Sequence, residues 1–347
     1  MNRSLLITGG AGFIGSNFVH YWINNYPSDK IVVLDLLSYA ANKKSIQTFI
    51  DTAKIAFVKG NINDYDLTLK ILRNYQITHI INFAAETHVD RSISSPDVFL
   101  DSNILGTYNL LKSFKKFWED NYSPSNWRFL HVSTDEVFGS LEPNDEKFTE
   151  LSPYRPRSPY SASKASSDHL VQASSHTFGL PTLITNCSNN YGPFQFPEKL
   201  IPLAITNLLR GKKIPIYGDG QNIRDWLFVE DHCSGIDAVL NRAKTGSSYC
   251  IGGENEVKNI DLINILCDLV DKYALEYNVN LKQSKSKALI NYVDDRLGHD
   301  KRYAINSSKI FSDLQWQPKV KFEYGMQKTV KWYLKNRDWW EPLLIKK

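Results

Sequence analysis

A tyrosine and a lysine four residues apart, Tyr160 and Lys164, are the first residues whose types and spacing point to chemistry. On a helix this spacing places both side chains on one face. An isolated tyrosine has a pKa of about 10 and is a weak base at neutral pH, so an ammonium one turn away is expected to lower that pKa by stabilising the phenolate. Such a tyrosine can take a proton from a hydroxyl. The pattern alone is common by chance, and its meaning depends on the elements around it.

An acidic pair, Asp135 and Glu136, follows Ser133 and Thr134 after the run 129–132. In open α/β sheets, ligands bind at the carboxyl ends of the strands. Adjacent carboxyl groups raise each other's pKa and can divide acid and base roles. Thr134 can hydrogen-bond the hydroxyl that Tyr160 deprotonates. A solvated acidic turn is the alternative interpretation, and the pair in isolation would favour it.

A glycine turn lies between the first expected strand and the first expected helix, with Gly9, Gly12 and Gly15 in a G-x-x-G-x-x-G pattern. Such a turn lets the backbone approach a pyrophosphate at a helix N-terminus. Asp35 follows Gly15 by 20 residues at the end of the second strand, where an acidic residue hydrogen-bonds the adenosine ribose. Because Asp35 repels a 2′-phosphate, the sequence predicts NAD rather than NADP. The positive nicotinamide ring would assist Lys164 in lowering the Tyr160 pKa.

These motifs fall within alternating strand and helix patterns. Apolar runs rich in β-branched residues predict strands at 4–8, 31–35, 55–59, 79–84, 128–133 and 181–186. Helical patterns predict helices at 13–24, 64–74, 98–118 and 160–177. Strands separated by helices of this length imply parallel β-α-β units, and therefore an α/β fold with a Rossmann-type doubly wound parallel sheet.

The pattern changes after residue 186. Segments 191–202 and 215–224 are rich in turn residues and predict loops, followed by a helix at 232–243 and a short strand at 249–251. Segment 284–302 is polar and irregular, and the tail 324–340 has helical character. We predict a dinucleotide-binding domain formed by residues 1–188 with about 225–252. Residues 189–224 with about 253–347 are predicted to form a smaller, discontinuous C-terminal substrate domain.

Composition excludes several other classes of protein. The 347 residues are 42% apolar and 22% charged, and no apolar stretch approaches the length of a membrane span. The N-terminal segment becomes glycine-rich too early for a signal peptide. The net charge of +4 is dispersed, so no nucleic-acid partner is expected. The four cysteines have no zinc-binding spacing, so no metal is expected, and free thiols predict a cytoplasmic location. They are Cys187, Cys233, Cys250 and Cys267.

The segments TGGAGFIG, STDEVFG, YSASK, NNYGPFQFPEKLIP, IRDWLFVEDH and DRLGHDKRY together closely resemble the dTDP-glucose 4,6-dehydratases, which are extended short-chain dehydrogenases/reductases. The match runs in order from residue 4 to about residue 303. The resemblance implies conversion of dTDP-glucose to dTDP-4-keto-6-deoxyglucose by C4 oxidation, loss of water across C5 and C6, and hydride return to C6 through retained NAD. This product leads to 6-deoxysugars such as rhamnose. The resemblance also implies a homodimer.

The resemblance assigns roles to residues at matching positions. The catalytic set it implies is Thr134, Asp135, Glu136, Tyr160 and Lys164, with Tyr160 as base for the C4 hydroxyl, Glu136 as base at C5 and Asp135 as acid at the C6 hydroxyl. The implied NAD-binding residues are Gly9, Gly12, Phe13, Ile14, Gly15, Asp35, Leu36, Ser38, Asn61, Ile62, Ala84, Ala85, Ser102, Tyr160, Lys164 and Asn190. The implied nucleotide-sugar residues are Thr87, Thr134, Asn189, Lys199, Leu200, Pro215, Tyr217, Arg224, Asn259, Asp295, Arg296 and His299.

Four positions depart from the family pattern. Leu36 stands where a lysine is usual, Asn61 where an aspartate is usual, Thr87 where a serine is usual and Leu297 where a proline is usual. None of them belongs to the catalytic set.

Four other functions remain open at the level of sequence. A UDP-glucose 4,6-dehydratase would share every catalytic residue. The predicted arginine and lysine contacts bind phosphates and do not distinguish uracil from thymine. A nucleotide-sugar 4-epimerase would share the glycines, Tyr160 and Lys164, but it needs no acid–base pair after the threonine. A nucleotide-glucuronate decarboxylase would need one acid there and a different substrate loop. A regulatory NAD sensor would need neither Tyr160 nor Glu136.

Overall fold

A seven-stranded parallel sheet forms the centre of the larger part of the molecule. The computed structural model describes residues 3–344. The strands are β1 (Ser4–Thr8), β2 (Lys30–Asp35), β3 (Ala56–Lys59), β4 (His79–Asn82), β5 (Arg128–Thr134), β6 (Thr182–Cys187), β7 (Asn189–Tyr191), β8 (Ile214–Tyr217), β9 (Ile223–Phe228), β10 (Ser248–Ile251), β11 (Glu256–Lys258) and β12 (Ile290–Val293). The sheet has the order β10-β6-β5-β4-β1-β2-β3, and every neighbouring pair is parallel. This confirms the doubly wound α/β fold.

Helices lie between consecutive strands of the central sheet, as parallel β-α-β units require. They are α1 (Phe13–Asn25), α2 (Gln47–Asp51), α3 (Tyr65–Asn74), α4 (Val89–Ser94), α5 (Asp97–Phe99), α6 (Gly106–Asp120), α7 (Pro159–Phe178), α8 (Leu200–Arg210), α9 (Val229–Arg242), α10 (Asn259–Glu276), α11 (Ser308–Leu314), α12 (Phe322–Lys335) and α13 (Arg337–Trp340). Short 3-10 turns occur at Lys43–Ile46, Asp135–Phe138, Ser286–Leu289 and Glu341–Leu344, and a π-helical segment at Leu100–Leu105.

The central sheet is buried on both faces, which explains its nearly continuous apolar strands. On one face α1 and α9 pack through side chains such as Phe18, Trp22 and Ile236. On the other face α3, α6 and α7 pack through side chains such as Leu72 and Phe114. Because the strands are parallel, all their carboxyl ends lie at one edge, and that edge carries the motifs predicted from the sequence.

A second core lies beside this edge. It contains the small sheet β11-β9-β7, in which β9 is antiparallel to β11 and parallel to β7. It also contains the parallel pair β12-β8. Helices α8, α10 and α12 supply its apolar side chains, including Leu208, Leu266 and Tyr333. None of the helices in residues 3–344 is both long and apolar enough to cross a membrane.

The structure differs from two sequence predictions about local elements. The single helix predicted at 98–118 is α5, a π-helical segment and α6 in succession, because the backbone hydrogen bonds at Leu100–Leu105 span one residue more than in an α-helix. The loop predicted at 215–224 is wrong at both ends, where β8 and β9 pair with partners distant in sequence. A strand that pairs only at long range leaves a weak local pattern.

The division into two domains remains a proposal. The boundary placed between residues 224 and 225 lies inside β9, and α11 packs against the larger core through Ile310 and Leu314, although the division assigns it to the smaller one. Residues 1–2 and 345–347, at the ends of the two proposed domains, lie outside the described residues.

Candidate active site

A cavity of about 510 Å³ lies at the carboxyl ends of the central strands. The strand order reverses between β1 and β4, and ligands of open α/β sheets bind beside such a reversal. Every residue predicted to bind the cofactor and every residue of the predicted catalytic set lines this cavity. Four of the predicted substrate residues line it as well: Thr87, Thr134, Asn189 and Lys199. The structure therefore brings together motifs that are up to 190 residues apart in the chain.

The glycine turn between β1 and α1 has no space for side chains. Gly9 has φ +66°, in the left-handed region, and a Cβ there would lie 2.7 Å from the backbone nitrogen of Ala84. A Cβ on Gly15 would collide with the carbonyl oxygen of Gly9. Gly12 caps α1 without a side-chain hydrogen bond, so the first-turn amides remain available to a phosphate. This turn fits the pyrophosphate of a dinucleotide.

The Asp35 carboxylate is held at the end of β2 by two backbone amides. Its Oδ2 accepts a hydrogen bond from the nitrogen of Ala11 at 2.9 Å, and its Oδ1 accepts one from the nitrogen of Leu37 at 2.8 Å. Burial raises the pKa of Asp35, and these two hydrogen bonds oppose that rise. Because each carboxylate oxygen can accept a second bond, Asp35 fits a pair of ribose hydroxyls.

The threonine and the acidic pair form one rigid turn at the end of β5. The Thr134 Oγ1 accepts a hydrogen bond from the backbone nitrogen of Glu136 at 3.2 Å and so caps the 3-10 turn Asp135–Phe138. The same hydroxyl donates to Oδ1 of Asp135 at 3.4 Å. These contacts hold the turn and the Asp135 carboxyl in place, and both acidic residues line the cavity.

The two carboxyl groups have different electrostatic surroundings. Burial, followed by the charges of Glu136 and Asp225, raises the pKa of Asp135 well above its usual value. Within residues 3–344, the Asp135 Oδ2 has no hydrogen-bond partner. Burial also raises the pKa of Glu136, but three cations, of which Lys199 acts most strongly, lower it. Asp135 is therefore suited to act as the acid and Glu136 as the base.

Tyr160 and Lys164 begin α7, whose first turn is fixed by a capping box between Ser158 and Ser161. Burial, followed by the charge of Glu136, raises the pKa of Tyr160 well above its usual value. The lowering of this pKa by Lys164 together with the positive cofactor ring stays a prediction. The Lys164 Nζ donates to the carbonyl oxygen of Val132 at 2.9 Å, and desolvation of the phenolate dominates.

A buried polar network next to Lys164 was not predicted. The His131 Nε2 lies 3.2 Å from the Lys164 Nζ and 3.4 Å from Oδ1 of Asp168. Asp168 follows Lys164 by four residues, as Lys164 follows Tyr160. This repeated spacing is the sequence signal that would have identified Asp168.

Arg224 carries a positive charge close to the acidic pair. Its Nη1 donates to the carbonyl oxygen of Ile223 at 2.8 Å and its Nη2 to that of Asp300 at 2.9 Å, and the guanidinium lies 4.3 Å from the centre of the Tyr303 ring. These partners are carbonyl oxygens and a ring, not a carboxylate. The charge of Arg224 is therefore available to an anion.

The other predicted substrate residues do not line the cavity. They are Leu200, Pro215, Tyr217, Arg224, Asn259, Asp295, Arg296 and His299. Leu200 begins α8 directly after Lys199, and Pro215 and Tyr217 belong to β8. The backbone nitrogen of Asn259 donates to the carbonyl oxygen of Asn222 at 2.9 Å, beside Ile223 of β9.

Asp90 joins two of these residues to the larger core. The Tyr217 hydroxyl donates to Oδ2 of Asp90 at 3.2 Å, and the Arg296 Nε lies 3.8 Å from its Oδ1. The His299 Nδ1 lies 2.6 Å from Oδ1 of Asp295. The charges of Arg296 and Arg224 both oppose the rise in the pKa of Glu136. These two arginines therefore lie near the carboxyl group of Glu136.

Two half-buried carboxyl residues of the cavity wall, Glu86 and Glu198, were also not predicted. The Tyr39 hydroxyl donates to Oε1 of Glu198 at 2.8 Å. Asn103, in the π-helical segment, accepts a hydrogen bond from the backbone nitrogen of Glu86 at 2.9 Å and donates to Oγ of Ser163 at 2.8 Å. These residues occur in no recognisable motif, and only the folded chain brings them to the site.

The sheet order, the glycine turn and the Tyr160–Lys164 pair define an extended dehydrogenase/reductase with a dinucleotide site. The family model for GDP-mannose 4,6 dehydratase matches residues 6–329. A dTDP-glucose 4,6-dehydratase of Neisseria meningitidis serogroup B is 48% identical over 99% of this chain and 96% of its own length.

Solved structures give the same result. The dTDP-glucose 4,6-dehydratase of Bacillus anthracis, in complex with NAD, matches with a TM-score of 0.86 and 45% identity over 98% of this chain and 99% of its own. That of Streptomyces venezuelae, also with NAD bound, matches with a TM-score of 0.88 and 43% identity over 98% of this chain and 100% of its own. The chain belongs to the dTDP-glucose 4,6-dehydratase family.

Proposed function

We propose that this protein dehydrates dTDP-glucose to dTDP-4-keto-6-deoxyglucose and water, using NAD. The observation that carries the proposal is the adjacent carboxyl pair Asp135 and Glu136, which lines one cavity with Thr134 and Tyr160. An epimerase needs the tyrosine but not the acid–base pair. The identity of about 48% with dehydratases of this substrate supports the same choice.

The cavity residues fit NAD. The glycine turn would hold the pyrophosphate, Asp35 the adenosine ribose, and Asn190 and Lys164 the nicotinamide half. When bound, NAD accepts a hydride from C4 of the sugar and returns it to C6. The protein's own task is to move protons to and from the sugar and to exclude water from the cavity.

The residues divide the proton transfers as follows. Tyr160 takes the proton of the C4 hydroxyl, while the Thr134 hydroxyl orients that oxygen. The resulting ketone acidifies the C5 hydrogen, which Glu136 removes. Asp135, protonated because of its burial, donates to the leaving C6 hydroxyl, so that water departs. A proton then returns to C5.

The diphosphate of the substrate needs cations that are not already neutralised. Arg224 meets this requirement, because its hydrogen-bond partners are carbonyl oxygens. Lys199 donates to the carbonyl oxygen of Thr87 at 2.9 Å, and among residues 3–344 no carboxylate oxygen lies within 4.0 Å of its Nζ. We assign both to the substrate diphosphate.

Replacing Asp35 tests the cofactor site. Asp35→Ala removes the acceptor for the ribose hydroxyls, so we expect NAD to bind about 10- to 100-fold more weakly, the range for lost charged hydrogen bonds. Discrimination against NADP should decrease, because the charge that repels the 2′-phosphate is gone. Titration of both cofactors measures the ratio, with Asp51→Ala, at an exposed position, as control. An unchanged NAD/NADP ratio would refute the role of Asp35.

Replacing Arg224 tests the diphosphate site. Arg224→Lys keeps the charge but loses the bidentate geometry, so we expect KM for the nucleotide sugar to rise about 10-fold, with a stronger dependence on salt and a smaller change in kcat. The exposed Arg242→Lys is the matched control. Unaltered nucleoside-diphosphate binding would show that Arg224 serves the structure alone.

The activity itself is tested by incubating the purified protein and NAD with dTDP-glucose, UDP-glucose and GDP-mannose in parallel. Mass spectrometry then measures loss of one water from each sugar. We expect dehydration of dTDP-glucose in preference to the other two. Preferred dehydration of UDP-glucose would assign the alternative substrate, and a product with unchanged mass but altered C4 configuration would assign an epimerase.

The protein assembles as a homodimer through the helical stretch from α5 to α6. Supporting this, Val98, Leu100, Leu105 and Tyr108 expose apolar side chains along that stretch. Light scattering on the purified protein should give twice the mass of one chain, and Leu105→Asp should reduce it to the mass of one. A parent protein that remains monomeric at micromolar concentration would exclude this assembly.

The cysteines support a cytoplasmic location. All four are buried free thiols, and the thiol form persists in a reducing compartment. Fractionation of the source cells would locate the protein.

A further inference from the structure

Asp168 lies in the interior of the larger core with a fully buried carboxylate. Its Oδ2 accepts three hydrogen bonds, from the Ser133 hydroxyl at 2.8 Å, the Tyr154 hydroxyl at 2.9 Å and the Asn186 amide at 3.2 Å. Every hydrogen-bond partner of this oxygen is a donor. The proposed reaction gives no role to this charge.

Lys164 is the cation nearest to this carboxylate in the network. Its ammonium is also buried, and it donates to the carbonyl oxygen of Val132. The His131 ring lies between the two charges, with Nε2 3.2 Å from the Lys164 Nζ and 3.4 Å from Oδ1 of Asp168. Within residues 3–344, Oδ1 of Asp168 makes no hydrogen bond that meets standard geometry. The imidazole therefore lies between the carboxylate and the ammonium, and because its Nε2 can bond only one of them at a time, the two charges act on each other across the ring.

The other titratable groups packed here are neutral. Burial, followed by the charge of Lys164, lowers the pKa of His131 on β5 to about 4, so the ring carries no charge at pH 7. Burial raises the pKa values of Cys187 on β6, of Tyr154 before α7 and of Tyr160 on α7. The network thus contains one cation and one anion separated by a neutral ring.

From this arrangement we infer that Asp168 is a positioning residue of the reaction: across the neutral His131 ring, it is the buried counter-ion that keeps Lys164 charged and in place beside Tyr160. The inference rests on the proposed function, in which the Lys164 ammonium supports the Tyr160 base. Three residues at successive helical turns, Tyr160, Lys164 and Asp168, then form a single functional face of α7.

The pH dependence follows from the sign of the charges. Burial lowers the pKa of Lys164 to about 8, and the charge of Asp168 opposes this lowering. A lysine loses its charge as pH rises through its pKa, so kcat should fall on the alkaline side as Lys164 deprotonates. Without the carboxylate, this loss should occur at lower pH.

The first experiment compares kcat–pH profiles of the parent protein and Asp168→Asn, loaded with NAD. We expect the alkaline limb to move down by about one pH unit, the lower end of the effect of a neighbouring opposite charge, so that the deficit is about fivefold larger at pH 8 than at pH 6. Tyr154→Phe is the matched control, because it removes a hydrogen bond to the same carboxylate but leaves both charges, and its limb should stay in place. A uniform loss at every pH in Asp168→Asn would overturn the inference.

The second experiment measures thermal unfolding and uses no turnover. Asp168→Asn leaves a buried ammonium without its counter-ion, which is strongly destabilising, whereas removal of both charges is much less so. Lys164→Met/Asp168→Asn should therefore unfold at a higher temperature than Asp168→Asn, and if the single variant fails to fold, the double variant should restore folding. Additive losses would overturn the inference. If the parent protein had no dehydratase activity but the two substitutions were non-additive, the proposed function would be refuted. The conclusion that Asp168 is the counter-ion of Lys164 would still hold.

Discussion

Glu136→Gln is expected to stop the reaction after C4 oxidation and before loss of water. The variant keeps Tyr160, so the C4 hydroxyl can still be deprotonated, but an amide cannot remove the C5 proton. In single-turnover mixing, reduced nicotinamide should accumulate, as seen by its absorbance, and little solvent deuterium should enter C5. Loss of a general base lowers the rate by about 10²–10⁴-fold, enough to make the stalled state visible.

The Glu136→Gln substitution should leave the neighbouring side chains in place. Glutamine has nearly the same shape, and Lys199 and the two nearby arginines keep their other contacts. Glu142→Gln, at an exposed ion pair with Lys301, is the matched control and should turn over like the parent. If Glu136→Gln released water at nearly the parent rate, the acid–base assignment would be wrong, and with it the dehydratase mechanism.

Tyr160→Phe should arrest the reaction one step earlier. No base remains for the C4 hydroxyl, so neither reduced nicotinamide nor dehydrated product should appear, again with a loss of about 10²–10⁴-fold. The ring itself remains and can keep its edge contact with Phe99, at 6.3 Å between centroids. Tyr324→Phe, at an exposed position, controls for loss of a phenol elsewhere.

The pair of variants separates the two candidate chemistries. For a dehydratase, Tyr160→Phe and Glu136→Gln stop at different points, one without and one with reduced nicotinamide. An epimerase would depend on Tyr160 alone. Accumulation of reduced nicotinamide in Tyr160→Phe would contradict the assignment of the base.

The central sheet could be predicted from the sequence because its strands are buried on both faces and pair with neighbours in a regular β-α-β order. The loop-like segments that contain β8 and β9 could not, since their pairing partners, β12 and β11, lie about 30 to 80 residues further along the chain. Local patterns carry no record of such pairings.

The motif residues of the cavity could be predicted from the sequence for a similar reason. Gly9, Asp35, Thr134 and Tyr160 all follow strands or begin helices, so the fold class places them at one edge. Glu198 and His131 have no such local marker. The raised pKa of Tyr160 could not be predicted from the sequence either. Its burial and its closeness to the charge of Glu136 both depend on the complete tertiary packing.

The interleaving of the two cores limits how this protein can change during evolution. The central sheet is completed by β10, and its covering layer by α9 and α11, all of which follow the first segments of the smaller core in the chain. Within residues 3–344, no contiguous stretch therefore contains the whole of one core without part of the other. Point substitutions around the cavity leave both cores intact, whereas exchange of a contiguous segment that carries one whole core would cut through the other.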